Sequence, residues 1–246
     1  MNIKPVIYCI CYATDDGENK LPKHKSKNYI IIPVIRKNMN KNLFFNYTQY
    51  VEDDTKDNIS KLLGHPNLNP YFGDLTSLYW VWKNVVDENA GVCHYRRFWD
   101  EDEIINSNPN VLYVKKQILW NCNMARQYYE SHGVGIDAPR TLYNLSVKNK
   151  IPINLDMLDI MWDNNIIYTC NMIRGPKKLF DQFCEILFSI LFSLWEEIKD
   201  DVFKLDIYQR RSIAFIAERI VTAIVLNSEY FFGKDKIKES YVHFYE

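Results

Sequence analysis

Residues 69–99, NPYFGDLTSLYWVWKNVVDENAGVCHYRRFW, constrain the fold more than any other stretch. Leu75, Leu78, Tyr79, Trp82 and Val85 recur at helical spacing, so this part predicts an amphipathic helix. Asp74 follows Gly73 at the helix start, where a carboxylate can satisfy free backbone N–H groups. Asn89 to Gly91 then break the pattern. A short apolar run follows and leads out of the core into His94, Tyr95, Arg96 and Arg97. A strand ending in two adjacent arginines aims positive charge at a partner, and the nature of that partner is the functional question.

The strand that follows Gly91 needs neighbours, and the sequence offers them on both sides. Residues 6–13, VIYCICYA, form an apolar run between Pro5 and Asp15-Asp16, as a buried first strand does. The loop after such a strand is where many α/β folds place a ligand, which brings Tyr12 and Ala13 into consideration. Residues 29–35 predict a second strand, in which Pro33 marks an edge, a bulge or the strand's end. Residues 43–51 fit helix or strand equally, and residues 52–60 (EDDTKDNIS) read as an ordered loop in which Asp57 and Asn58 can hydrogen-bond.

Beyond the central stretch, residues 111–114 suggest a short strand and residues 115–132 a helix ended by Gly133 and Gly135. Pro139-Arg140 to Asn154 reads as irregular, residues 155–162 as a short helix, and residues 166–173 (IIYTCNMI) as a strand closed by Gly175-Pro176. Pro176 opens a long helix to about Lys199 whose narrow polar stripe implies burial on most sides. A last helix covers about residues 206–226, and the tail from Gly233 has no clear assignment. Strands interleaved with helices, without repeats or linkers, favour one α/β domain with a mixed central sheet flanked by helices.

Composition excludes several classes. A net charge of −1 argues against a nucleic-acid binder that works by broad electrostatics. No phosphate-binding loop rich in glycine appears. The six cysteines lack metal-ligand spacing and read as reduced thiols of a cytoplasmic protein. No segment reaches the roughly 18 apolar residues of a membrane span, which leaves room only for peripheral membrane contact.

Candidate chemistry then falls on a few residues. If the strand continues through 97, His94 and Arg96 point one way and Tyr95 and Arg97 the other. Arginine's planar fork of donors suits phosphate oxygens, so the pair suits a diphosphate; the competing reading is an ion pair with residues 100–103. Asp100 and Asp102, one residue apart, could hold a divalent cation. Glu218 lies on a helix face among Ala214, Phe215, Val221 and Thr222, where a carboxylate needs a partner or a raised pKa. It is either a general base or half of a buried ion pair with Arg211, Arg96 or Arg97. Asn171 could bind a hydroxyl or satisfy backbone.

Together these segments resemble the family catalogued as domain of unknown function 4422, known as capsular or exopolysaccharide glycosyltransferases. The resemblance rests on Asp57-Asn58-Ile59-Ser60, Asn69-Pro70, Asp74-Leu75-Thr76 through Tyr79-Trp80-Val81-Trp82-Lys83-Asn84, and Gly91 through Phe98. Asn171-Met172, Phe180 to Cys184 and Phe215 to Arg219 continue it in the expected order. It covers roughly residues 5–226. The chain departs from the pattern between the His-Tyr-Arg-Arg strand and Asn171, which is short, and in the Gly64-His65-Pro66-Asn67-Leu68 insertion.

The resemblance implies a single GT-A-like domain over residues 1–246, with a Rossmann-like nucleotide-binding half in residues 1–100 and the acceptor side in residues 101–246. It implies transfer of a sugar from a nucleoside-diphosphate sugar, most simply a UDP-sugar, to a glycan acceptor. Glu218, Arg97, Arg96 and His94 would be catalytic. Tyr12, Ala13, Asp57, Asn58, Asp74, Lys83 and Tyr95 would bind the donor, and Asn171 the acceptor or sugar. A manganese or magnesium ion on Asp100 and Asp102 is one source of charge for the leaving diphosphate; Arg96 or Arg97 is the other. The alternative is a non-catalytic glycan-binding or scaffold protein of a polysaccharide assembly complex. A nucleotide-binding hydrolase is a third reading.

Overall fold

The computed structural model describes residues 6–13, 19–27, 29–35, 39–44, 47, 49–132 and 136–245. The amino-terminal part runs β1 (Val6–Ile10), β2 (Tyr12–Ala13), β3 (Asn19–Lys20), β4 (Ile30–Ile35), β5 (Val51–Glu52), α1 (Ile59–Leu62), α2 (Asn69–Phe72) and α3 (Leu75–Asn84). The middle holds β6 (Asn89–His94), β7 (Arg97–Trp99), α4 (Glu101–Ile105), β8 (Leu112–Ile118), α5 (Met124–Ser131), α6 (Ala138–Val147), α7 (Leu155–Asp163) and β9 (Ile166–Pro176). The long helices α8 (Lys177–Val202) and α9 (Ser212–Leu226) follow, then α10 (Ser228–Phe232), β10 (Ile237–Ser240) and β11 (Val242–Phe244).

The main sheet is mixed, in the order β10-β8-β9-β6-β1-β4-β5. β5, β4, β1 and β6 are mutually parallel, while β9 is antiparallel to β6 and β8. The chain leaves β1 for β4 and β5 on one side, then returns through α1–α3 to β6 on the other. β1 is therefore a topological switch point, and the carboxyl ends of β1 and β6 open a crevice there. Pro33 does not interrupt β4: it pairs with Cys9, and β5 joins only from Val34 onward. Proline's missing N–H is harmless where no strand waits to accept it.

Helix α3 buries Leu75, Leu78 and Tyr79, as its spacing predicts. Its outer ring, Trp82, stacks on Phe188 of α8 at 5.4 Å and 5°. Burying one such side chain contributes about 1.5–3 kcal/mol. Helix α9 is buried along nearly its whole length, Arg219 included. Gly91 lets β6 approach β9: a Cβ there would lie 2.7 Å from the Arg174 Cβ and 2.8 Å from Ile7 Cδ1. Among the described residues no helix is long and apolar enough to cross a membrane. All six cysteines are free thiols.

Several local expectations fail for identifiable reasons. Residues 115–118 are not helix but the end of β8, held by pairing with β9 and β10. Residues 138–147 are not irregular. Asp137 caps α6 by accepting from the Arg140 N–H at 3.0 Å, with Pro139 in the first turn, where a missing N–H costs nothing. The strand at residue 94 does not continue. It turns at Tyr95-Arg96 and comes back as β7, with His94 opposite Arg97. The tail after Gly233 completes the sheet as β10 and β11.

Candidate active site

A cleft of about 1520 Å³ opens over the carboxyl ends of β1 and β6. Ile10 and His94 form part of its floor, the α1–α2 segment one wall, and the start of α9 the other. Of the residues singled out from sequence, His94, Tyr95, Arg96, Arg97, Asn58, Asp74 and Glu218 line it.

The floor is organised by a distortion of β9. Val114 pairs with Ile173 and Lys116 with Tyr168, so β9 spends more residues than β8 over the same step and must bulge. Cys170 and Asn171 absorb the bulge with φ of 65° and 47°. Two consecutive left-handed non-glycine residues are costly, and such strain persists only where the surroundings hold it. Here both backbone groups of Cys170 are held. Its N–H donates to Glu218 Oε1 at 2.7 Å, and its carbonyl accepts from His94 Nε2 at 2.6 Å. A carbonyl only accepts, so Nε2 carries the His94 proton.

Asp74 closes the floor from the start of α3. Its Oδ2 accepts from Asn171 Nδ2 at 3.0 Å and lies 3.5 Å from His94 Nε2. Burial works to raise the Asp74 pKa, but the contacts from His94 and Asn171 outweigh it and hold the carboxyl below its ordinary value. The side chain makes no capping bond to α3, contrary to the capping role expected from its position. Asp53 reaches that helix end through side chains: the Thr76 and Ser77 hydroxyls donate to its Oδ2 at 2.9 and 2.8 Å. Asn171 is 2% exposed and its Oδ1 is buried without a partner among the described residues.

Glu218 does not pair with Arg211, Arg96 or Arg97. Its second oxygen, Oε2, faces Arg219 Nη1 at 3.3 Å, and its side chain keeps 25% exposure toward the cleft. Arg219 itself is fully buried, donating to the Phe215 carbonyl at 2.7 Å and to Gln127. Burial lowers its pKa, opposed by the Glu218 charge.

Because those carboxylates are committed, four cleft arginines are left without an ion pair among the described residues: Arg96, Arg97, Arg210 and Arg211. The Nε atoms of Arg96 and Arg210 are buried with no hydrogen-bond partner there. Arg96 and Arg97 rest on aromatic rings, not on the acidic residues that follow them. Sequence reasoning missed Arg210; the Arg210-Arg211 doublet before an apolar helix is the signal that could have found it.

Other candidates lie elsewhere. Lys83 sits over the Trp82 ring at 3.4 Å, outside the cleft lining. Asp57 is exposed, its backbone paired with the Asn84 amide. The Asn58 side chain caps α1 through the Lys61 N–H at 2.9 Å while still bordering the cleft. Tyr12 and Ala13 pair with β3, and their side chains lie outside the described residues. Asp100 and Asp102 do not fit a cation site. Asp100 Oδ1 accepts from the Asp102 and Glu103 N–H groups, its Oδ2 pairs with His243 at 2.8 Å, and neither residue borders the cleft. Among the described residues no cluster of three or more metal-ligating side chains forms.

Fold and site together define an α/β protein with a mixed sheet and an arginine-rich crevice at the carboxyl ends of its parallel half. The chain belongs to the family described as domain of unknown function 4422 (DUF4422), which it matches over residues 18–229. No curated protein matches it. Among solved structures it is similar to one described as the apo form of the bifunctional glycosyltransferase WbbM, with a TM-score of 0.71 at 23% identity. The likeness covers 98% of this chain and 45% of the other, so this chain spans under half of that protein's length.

Proposed function

We propose that the protein is a glycosyltransferase that takes a sugar from a nucleoside-diphosphate sugar, most simply a UDP-sugar, and passes it to a glycan acceptor. The observation that carries this reading is the set of four arginines facing one cleft without internal carboxylate partners, beside a partly exposed glutamate. Arginine forks that are not consumed internally suit the oxygens of a diphosphate. The name of the structural neighbour supports the same class.

In this reading the acceptor hydroxyl oxygen attacks the sugar's anomeric carbon as the bond to the diphosphate oxygen breaks. Arg96 and Arg97 stabilise the charge that develops on the leaving diphosphate. Glu218 Oε2 takes the hydroxyl proton or positions the sugar. His94 and Asp74 hold the floor against which the sugar lies, with Asn171 behind them. Asn58 and Tyr95 border the donor. Free thiols throughout the described chain suit a reducing compartment, such as the cytoplasm. A glycan-binding scaffold would present open tyrosine or tryptophan rings along its groove, whereas Tyr95, which lines the cleft, is buried.

Calorimetric titration with UDP, GDP and dTDP tests the reading. At least one nucleotide is expected to bind, and Arg97→Ala to weaken it at least about tenfold, as loss of a charged hydrogen bond does. Binding of oligosaccharide with no response to any nucleotide assigns the cleft to a glycan-binding protein instead.

A further inference from the structure

We propose that Phe244, on β11, is a positioning residue that holds the Arg96 and Arg97 guanidinium groups ready for a diphosphate; this rests on reading the cleft as a nucleoside-diphosphate site. The sheet register places it. His94 is opposite Arg97 on β7, and Arg97 is opposite Phe244 on β11. Directly opposed residues of antiparallel strands share a face, so His94, Arg97 and Phe244 form one row leading out of the cleft.

The distances agree with the register. The Arg96 and Arg97 guanidinium carbons lie 5.1 and 5.4 Å from the Phe244 ring centroid, and Arg96 is also 5.1 Å from the Tyr95 ring. The backbone fixes the same place, because the Tyr245 N–H donates to the Arg96 carbonyl at 2.8 Å. β11 is anchored from both sides of Phe244. The Tyr245 ring stacks on His24 at 4.8 Å, and His243 pairs with Asp100 at 2.8 Å. Phe244 itself is 52% exposed, so filling the core does not account for it.

An aromatic ring suits this task for a chemical reason. A carboxylate would orient a guanidinium by occupying its N–H donors. A ring attracts the cation through its face and leaves the donor fork free for phosphate oxygens. The Arg96 Nε, buried without a partner, is such a donor. Phe244 also lies beyond residues 18–229, so the clamp is not part of the stretch matched by the family. Without the ring, two long side chains must be ordered at the moment of binding, which weakens affinity by roughly tenfold.

The test is titration of UDP into the wild type, Phe244→Leu and Phe244→Tyr, with melting curves and donor kinetics alongside. Expected are roughly tenfold weaker UDP binding and a matching rise in donor KM for Phe244→Leu, with kcat nearly unchanged. Phe244→Tyr, which keeps the ring, should stay within about twofold of the wild type. If Phe244→Leu binds UDP as tightly as the wild type, or Phe244→Tyr is as weak as Phe244→Leu, Phe244 has no such role although the cleft still binds nucleotide. If the wild type ignores every nucleoside diphosphate, the cleft reading falls and this proposal with it. A Phe244→Leu protein that melts far below the wild type, and is not rescued by tyrosine, also overturns it in favour of plain packing.

Discussion

Glu218→Gln separates the bracing of Cys170 from the catalytic task proposed for the same carboxylate. Oε1 accepts from the Cys170 N–H at 2.7 Å and so holds the left-handed pair Cys170-Asn171; Oε2 faces buried Arg219 at 3.3 Å and the cleft. Glutamine keeps an acceptor for Cys170 but makes it neutral, which costs about 1 kcal/mol if neutral bonds are about half as strong as charge-assisted ones. It also removes the charge opposite Arg219, whose remaining partners are the Phe215 carbonyl and Gln127. Losing a charged hydrogen bond there costs about 2 kcal/mol more. A total near 3 kcal/mol lowers Tm by about 6–12 °C in a chain of this size. Activity is measured well below that melting range. If Oε2 takes the acceptor proton, kcat falls about 10²–10⁴-fold with the fold intact. A variant that melts like the wild type refutes the bracing argument. One that melts low but turns over within about threefold of the wild type refutes the catalytic one, since a proton acceptor contributes at least about a hundredfold.

Two further tests probe the fold around the site. Gly91→Ala forces a methyl against the Arg174 Cβ and Ile7 Cδ1 and should cost about 1–3 kcal/mol in urea denaturation, whereas Gly64→Ala, in open space at φ 66°, should cost only about 1 kcal/mol. His132 stacks on Phe215 at 4.0 Å, and burial, with the Arg219 and Arg211 charges, pushes its pKa from 6.5 down to about 4. The unfolded chain therefore takes up this proton first, so its contribution to stability is whole above about pH 6.5 and declines as the pH falls toward about 4. His132→Phe keeps the stack and should flatten that part of the stability–pH curve.

What the sequence disclosed follows from how local each cause is. β1 was legible as an unbroken apolar run and α3 from its helical spacing. The His-Tyr-Arg-Arg turn was not: neither Tyr95 nor Arg96 is a usual turn former, and only pairing with β6 and β11 makes β7 a strand. α6 was hidden by Pro139, although Asp137 before it supplies the capping signal. Lys115 to Ile118 have side chains that favour helix, and their strand comes from β9 and β10. At the site, sequence picked out Glu218, His94, Asp74 and Asn171 separately. Their meeting at Cys170 was invisible, since a bulge in β9 depends on how many residues β8 offers against it.

The bulge also explains why residues far apart in the chain act on one place. His94 ends the parallel half of the sheet, Glu218 comes from α9, and they hold the two peptide units that flank the Cys170 Cα, one through its carbonyl and the other through its N–H. Asp74, from the start of α3, ties the next residue, Asn171. Three elements thus fix two residues whose backbone would otherwise relax out of the left-handed region. A movement of α9 on binding an acceptor would shift Cys170 and, through its carbonyl, the His94 ring. His94 is opposite Arg97, so the same movement reaches the arginine proposed above to serve the diphosphate. If that chain of contacts carries free energy, Glu218→Ala and His94→Ala should be non-additive in nucleotide affinity, although Glu218 is assigned no contact with the nucleotide. Strict additivity in a double-mutant cycle would mean that the strained floor is a rigid support and transmits nothing between donor and acceptor sides.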